Sequence, residues 1–142
     1  MPFDPRPISE VDFPGKLKKM GIPNDDMWGY YPEGLYHILM RFHKKYGKPI
    51  HITENGVCTN DDDFRQQSIK DHLTQCHRAI KDGVKLAGYT HWCTWDNYEW
   101  SLGPTYRFGL VRVDFDTMER TMTGAGELYH KIAEENGFDT TT

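Results

Sequence analysis

Residues able to do chemistry gather at two places in this sequence. Glu54 ends a short β-branched run, Ile50-His51-Ile52-Thr53, and is followed at once by Asn55-Gly56. A carboxylate there stands at the end of a strand and on a tight turn. In folds that alternate strands with helices, the loops after the C-terminal ends of strands build the site. Glu54 is therefore placed to act as a nucleophile, acid or base, although the same four residues also suit a polar turn. The second place is Gly88-Tyr-Thr-His-Trp92-Cys-Thr-Trp95-Asp-Asn-Tyr98-Glu99-Trp100, which also follows a strand. Carboxylates among indoles fit a sugar site, because aromatic faces stack on the C–H face of a pyranose while a carboxylate accepts paired hydroxyls. An aromatic core cluster is the competing reading. Asp96, Asn97 and Glu99 argue against it, since carboxylates are seldom buried without a purpose.

The surrounding segments have to hold these groups in place. Pro32-Glu33-Gly34 opens a helical pattern with Leu35, Ile38, Leu39, Phe42 and Tyr46 at helix spacing, closed by Gly47. Residues 49–54 read as a buried strand. Asp61-Asp62-Asp63 favours the start of a second helix, whose stripe is Ile69, Leu73, Cys76 and Ile80. Residues 84–92 form the next strand candidate, and a long aromatic loop follows to about Tyr106. Residues 108–115 suit a strand in a hairpin, and residues 124–135 a last helix ended by Asn136-Gly137. Strands separated by helices of this length indicate parallel βα units and an α/β fold. Ile50, Ile52, Val84, Leu86 and Tyr89 predict strands apolar on both faces. Residues 1–31 show no sustained period and read as a loop-rich segment preceding a single domain over residues 32–142.

Composition narrows the classes of function. The 142 residues are 27% charged and 37% hydrophobic, which suits one domain of ordinary size. Mean hydropathy is -0.73. No apolar run approaches the ~18 residues of a membrane span. The 21 acidic against 17 basic residues give a charge of -4, which argues against nucleic acid as a partner. Met1-Pro2-Phe3-Asp4 does not read as a secretory signal, so a cytoplasmic setting is expected. Three cysteines without a C-x-x-C pair suit a reducing compartment. His72 and His77 are on different helix faces and do not make a zinc pair. Neither a metal nor a cofactor is expected.

Several motifs, in order, resemble family 1 glycoside hydrolases, the retaining β-glucosidase family. Ile52-Thr53-Glu54-Asn55-Gly56 looks like the family's nucleophile motif. Trp92 through Trp100 is similar to its tryptophan-to-"DNFEW" segment, and Tyr106-Arg107-Phe108-Gly109-Leu110-Val111 to its "RFGL" stretch. Tyr31 to Leu35 and Ala79 to Val84 resemble family spacers. The resemblance runs from about residue 26 to 136 and implies part of a (β/α)8 TIM barrel, its C-terminal βα units with a small β-hairpin. It implies that Glu54 is the catalytic nucleophile and that Glu99 holds glycone hydroxyls. It further implies Trp92 as the platform under the glycone, Trp100 as an indole donor, and Phe108 as an aromatic wall. Trp100 stands where the phosphosugar branch has Ser, so an unphosphorylated β-glycoside or glucose-like molecule is the implied ligand. Departures from the family occur at Cys93, Thr94, Trp95, Pro104, Thr123, Ala125 and Leu128. A complete barrel takes roughly 250 residues, and the "NEP" segment that carries the general acid/base is absent from this sequence. The chain alone is therefore expected to be inactive, and a non-catalytic module that binds sugar weakly or self-associates is the alternative. Strand edges left open predict a homo-oligomer, with rearrangement near residues 1–31 and 93–107.

Overall fold

The computed structural model describes residues 13–139. The elements run α1 (Phe13–Lys19), α2 (Glu33–Tyr46), β1 (Ile50–Asn55), α3 (Asp62–Lys81) and β2 (Leu86–His91). A 3-10 turn (Trp100–Leu102), β3 (Val111–Val113), β4 (Arg120–Met122) and α4 (Gly124–Glu135) follow. β1 and β2 pair in parallel across α3, and β3 and β4 form an antiparallel hairpin. This is a small α/β unit, as the spacing of the segments predicts.

The helices begin and end where their sequences provide caps. Asp61 accepts a hydrogen bond from Phe64 N at the start of α3, and Thr123 Oγ1 accepts one from Gly126 N at the start of α4. Gly47 closes α2 and Asn136 closes α4, both in the left-handed conformation. α1 lies inside the segment read as loop-rich. It has seven residues, too few to show a period, and Pro14 is tolerated in its first turn. Residues 1–12 of that segment lie outside the described residues.

Two apolar clusters meet α3. The first joins Leu39 of α2, Ile52 of β1, Cys76 and Ala79 of α3, and Val84, with Ile50, Leu86 and Tyr89 packed against it. All five strand positions predicted to serve two faces are therefore on one face, beneath α2 and α3. The register shift between Ile50 and His51 breaks the alternation of β2, so Leu86 and Tyr89 share the packed side while His51, Thr53, Ala87 and Thr90 stay exposed. The expectation of two apolar faces is corrected accordingly: the bare face of this sheet is largely polar. The second cluster joins Ile69 of α3 to Leu110 and Ala125, with Leu73, Tyr129 and Ile132 around it.

Two strand predictions are shortened. β2 starts at Leu86 because Val84 N is already spent on Ala79 O, closing the end of α3. β3 starts only at Val111. Phe108 O accepts from Cys93 N at 3.3 Å and Leu110 N donates to Cys93 O at 2.9 Å in the aromatic loop, while Leu110 O accepts from Thr123 N at 3.0 Å.

Candidate active site

Glu54 is on the last turn of β1, where the register to β2 shifts between Ile52 and Asn55. Its side chain is exposed and makes no hydrogen bond or ion pair with the other described residues. The turn beneath it is held from three sides. Asn55 O accepts from Trp92 N at 2.9 Å, and Asn55 Oδ1 accepts from the Tyr89 hydroxyl at 2.8 Å. Gly56 lies so near the Trp92 carbonyl that a Cβ there would stand 1.9 Å from its oxygen. Only glycine allows that approach. Glu54 and Trp92 thus occupy neighbouring strand ends whose backbones are fastened together.

Trp92 is half-buried and packs on a third apolar cluster made of Cys58, Cys93 and Phe108. Its peptide bond to Cys93 is cis. The aromatic loop beyond is anchored by Asp96. That carboxylate is buried, pairs with Arg107 Nη1 at 3.0 Å, and accepts from Gly109 N at 2.9 Å and Val113 N at 3.3 Å. Asp96 therefore answers for one of the carboxylates among the indoles, and its work is to shape the loop. Glu99 is half-exposed and accepts from Asn97 Nδ2 at 2.8 Å, which fixes one carboxylate oxygen. Trp100 is 87% exposed and adopts φ 45°, a left-handed conformation that a bulky residue seldom holds.

Phe108 belongs to that third cluster. It is 1% exposed, beside Trp28 at 5.8 Å between ring centroids, and it offers no face to a ligand. Trp28 is brought there by a turn that sequence reasoning missed. Buried Asp25 accepts from the backbone N–H groups of Met27, Trp28 and Cys58, so it ties residues 25–28 to the loop after β1. The strand pattern likewise marks Tyr89 only as an apolar or aromatic residue. Its hydroxyl, seated beside Asn55, could have been suspected because buried tyrosines seek a partner.

Arg65, 1% exposed, joins the loops below the site. Its Nη2 donates to Thr59 O and to Arg107 O at 2.5 and 3.0 Å. Beside it, buried His91 has no partner for either ring nitrogen among the described residues. Burial, and then the Arg65 charge, push its pKa down to about 4. Burial raises all three cysteines, Cys58 and Cys93 to about 12 and Cys76 to about 11, so they are thiols at neutral pH. Among the described residues no cluster of three or more His, Cys, Asp or Glu side chains could hold a metal ion.

The profile of glycosyl hydrolase family 1 matches residues 9–138. The chain belongs to this family. Beta-glucosidase A of Acetivibrio thermocellus is 47% identical over 96% of the chain, which covers 33% of that protein. A beta-galactosidase of Sulfolobus acidocaldarius is 38% identical over 85% of the chain and is covered to 25%. A family 1 β-glucosidase structure from Thermotoga maritima superposes with a TM-score of 0.81 at 35% identity, over 83% of this chain and 30% of that one. The same enzyme in complex with glucoimidazole gives 0.80. The chain thus spans about a third of the length of the curated relatives it matches. Its β1-α3-β2-α4 order is a portion of the family 1 TIM barrel, with Glu54 and Trp92 at the C-terminal ends of two strands, where barrel sites are built.

Proposed function

We propose that the chain is the C-terminal portion of a retaining β-glucosidase-type hydrolase, providing the nucleophile and part of the glycone pocket. The observation that carries this is the Glu54 turn. An exposed carboxylate with no ion partner stands at a strand's C-terminal end, on a turn fastened to the backbone of Trp92. In this reading a Glu54 oxygen attacks the anomeric carbon of an unphosphorylated β-glycoside. The C–O bond to the leaving group breaks as that oxygen takes a proton from a second carboxylic acid. A glycosyl ester on Glu54 results, and water then cleaves it. The two carboxyls in such sites stand about 5–5.5 Å apart, and since no segment of this sequence resembles the one that carries the acid, this reading takes the acid from outside the chain. Trp92 supports the sugar face and Glu99, steadied by Asn97, accepts glycone hydroxyls. Exposed Trp100 donates its indole N–H, and its left-handed backbone is of the kind that structures retain at functional positions.

The test uses a 2-fluoro glycoside, which traps the ester. The purified chain alone is expected to hydrolyse aryl β-glucosides negligibly, since loss of a general acid removes about 10²–10⁴-fold. Completed with the rest of a family 1 barrel, it should be labelled at Glu54, found by peptide mass. A label on Glu99, or strong turnover by the chain alone, overturns the assignment.

A further inference from the structure

Cys93, Asn97 and Glu99 form a hydrogen-bonded chain inside the aromatic loop. Asn97 Nδ2 donates to Glu99 Oε2 at 2.8 Å. At the other end of the same amide, Asn97 Oδ1 accepts from the Cys93 thiol at 3.5 Å. The thiol also donates to Trp95 O at 2.8 Å, so one proton is shared between two acceptors, the nearer of them backbone. An Asn amide can be turned end for end, whereas an ionised carboxylate only accepts. Both neighbours of Asn97 dictate one orientation. Its NH2 end has to face Glu99, and its oxygen has to face the thiol donor. A reversed amide would set oxygen against oxygen at Glu99 and leave Oδ1 without the thiol.

Both ends of this chain are anchored. Cys93 is 7% exposed, its N–H donates to Phe108 O, and its C=O accepts from Leu110 N. Burial pushes the thiol up to about 12, so its proton stays in place at neutral pH. At the other end, Glu99 N donates to Gly103 O and Glu99 O accepts from Leu102 N, each at 2.8 Å. The backbone of residues 99–103 is thereby closed on itself. Gly103 completes the closure at φ 72° and ψ -156°, a conformation that residues with a Cβ do not adopt. The main chain of Glu99 is thus fixed by this loop, and Oε2 by Asn97. Oε1 makes no hydrogen bond with the other described residues.

We propose that Asn97, oriented by Cys93, is a positioning residue that sets the side-chain rotamer of Glu99 and presents its free oxygen Oε1 to a glycone hydroxyl. The proposal rests on the reading of Glu99 as a glycone-binding carboxylate. A Glu side chain that is free to turn loses rotamer entropy when a ligand stops it. Asn97 meets that cost during folding, through a hydrogen bond strengthened by the charge on its acceptor. The neighbouring carboxylate, Asp96, has no share in this, since Arg107 and two backbone N–H groups occupy it.

The side-chain amide of Asn97 is read first, by 15N NMR of the chain itself. Expected is one amide proton shifted downfield and slow to exchange, returning to the free-amide position in Glu99→Ala. Cys93→Ala should let the amide turn over, seen as broadened or doubled signals. Cys76→Ala, which removes a buried thiol from the cluster under the sheet, should leave them unchanged. In the chain completed with the rest of a family 1 barrel, Asn97→Asp puts a second acceptor beside Glu99. It should raise KM for an aryl β-glucoside about tenfold or more while kcat changes less than about threefold, the split of a contact made equally in the ground and transition states. Cys93→Ala should move KM in the same direction by a smaller factor, and it carries the test should Asn97→Asp not fold. An Asn97 amide at the free-amide position in the parent chain, or a KM indifferent to both variants, overturns the proposal. A completed barrel without turnover, or labelled by the 2-fluoro glycoside elsewhere than Glu54, rejects the catalytic reading instead, and the amide signals of the chain then decide the positioning of Glu99.

Discussion

Glu54 is the next-to-last residue of β1 and Asp96 lies in the loop after β2, and the surroundings of the two carboxylates differ. Asp96 has its oxygens committed to Arg107 and to two backbone N–H groups, so it has nothing left for a ligand. Glu54 has no such commitments. The position of Glu54 was legible because it depends on residues beside it, a β-branched run before and Asn-Gly after. The Tyr89 hydroxyl that steadies Asn55 was not, because 34 residues separate the two in sequence. The contact of Phe108 with Trp28 was not legible either, because it depends on a distant turn built by Asp25. His91 carries a prediction at this scale. Its folded pKa of about 4 lies below the ordinary 6.5, so the unfolded chain binds more protons between those values. Stability is therefore full above about pH 6.5 and falls as the pH drops toward 4, by about 3 kcal/mol. His72, also lowered by burial, acts in the same direction. Urea unfolding at pH 7 and pH 4.5 checks this, and His91→Val should flatten most of that difference. An equal loss in the variant would remove His91 as the cause.

The elements were legible in proportion to how local their signals are. α3 has an acidic first turn, a capping Asp61 and a stripe, and it forms over Asp62–Lys81 as expected. α4 is bracketed by Thr123 and Asn136 in the same way. α1 gave no signal because seven residues complete fewer than two periods. Two strands were found but overextended, since a β-branched run does not reveal which of its residues another segment will claim. Residues 108–110, claimed by the aromatic loop, are the example. Asp61→Ala tests the weight of a cap. It removes the acceptor for Phe64 N and should cost about 1 kcal/mol. A midpoint in urea unchanged from the parent chain would mean that packing alone fixes the start of α3.

For the molecule as a whole, one edge of β1 and the outer stripe of α2 remain in water when the chain is by itself. We expect self-association through this flank. Light scattering across a concentration series should show mass rising above the 16.6 kDa of one chain. A constant mass with protected β1 amides would show that the edge is already covered. The division of the interior has a different consequence. Cys76 and Ala79 serve the cluster under the sheet, while Ile69 serves the one under α4, and both sets project from α3. Neither core can lose its packing while that helix stands, and neither can keep it once the helix goes. The piece of barrel therefore behaves in unfolding as a single cooperative unit, with one helix as the axle on which two wheels turn together.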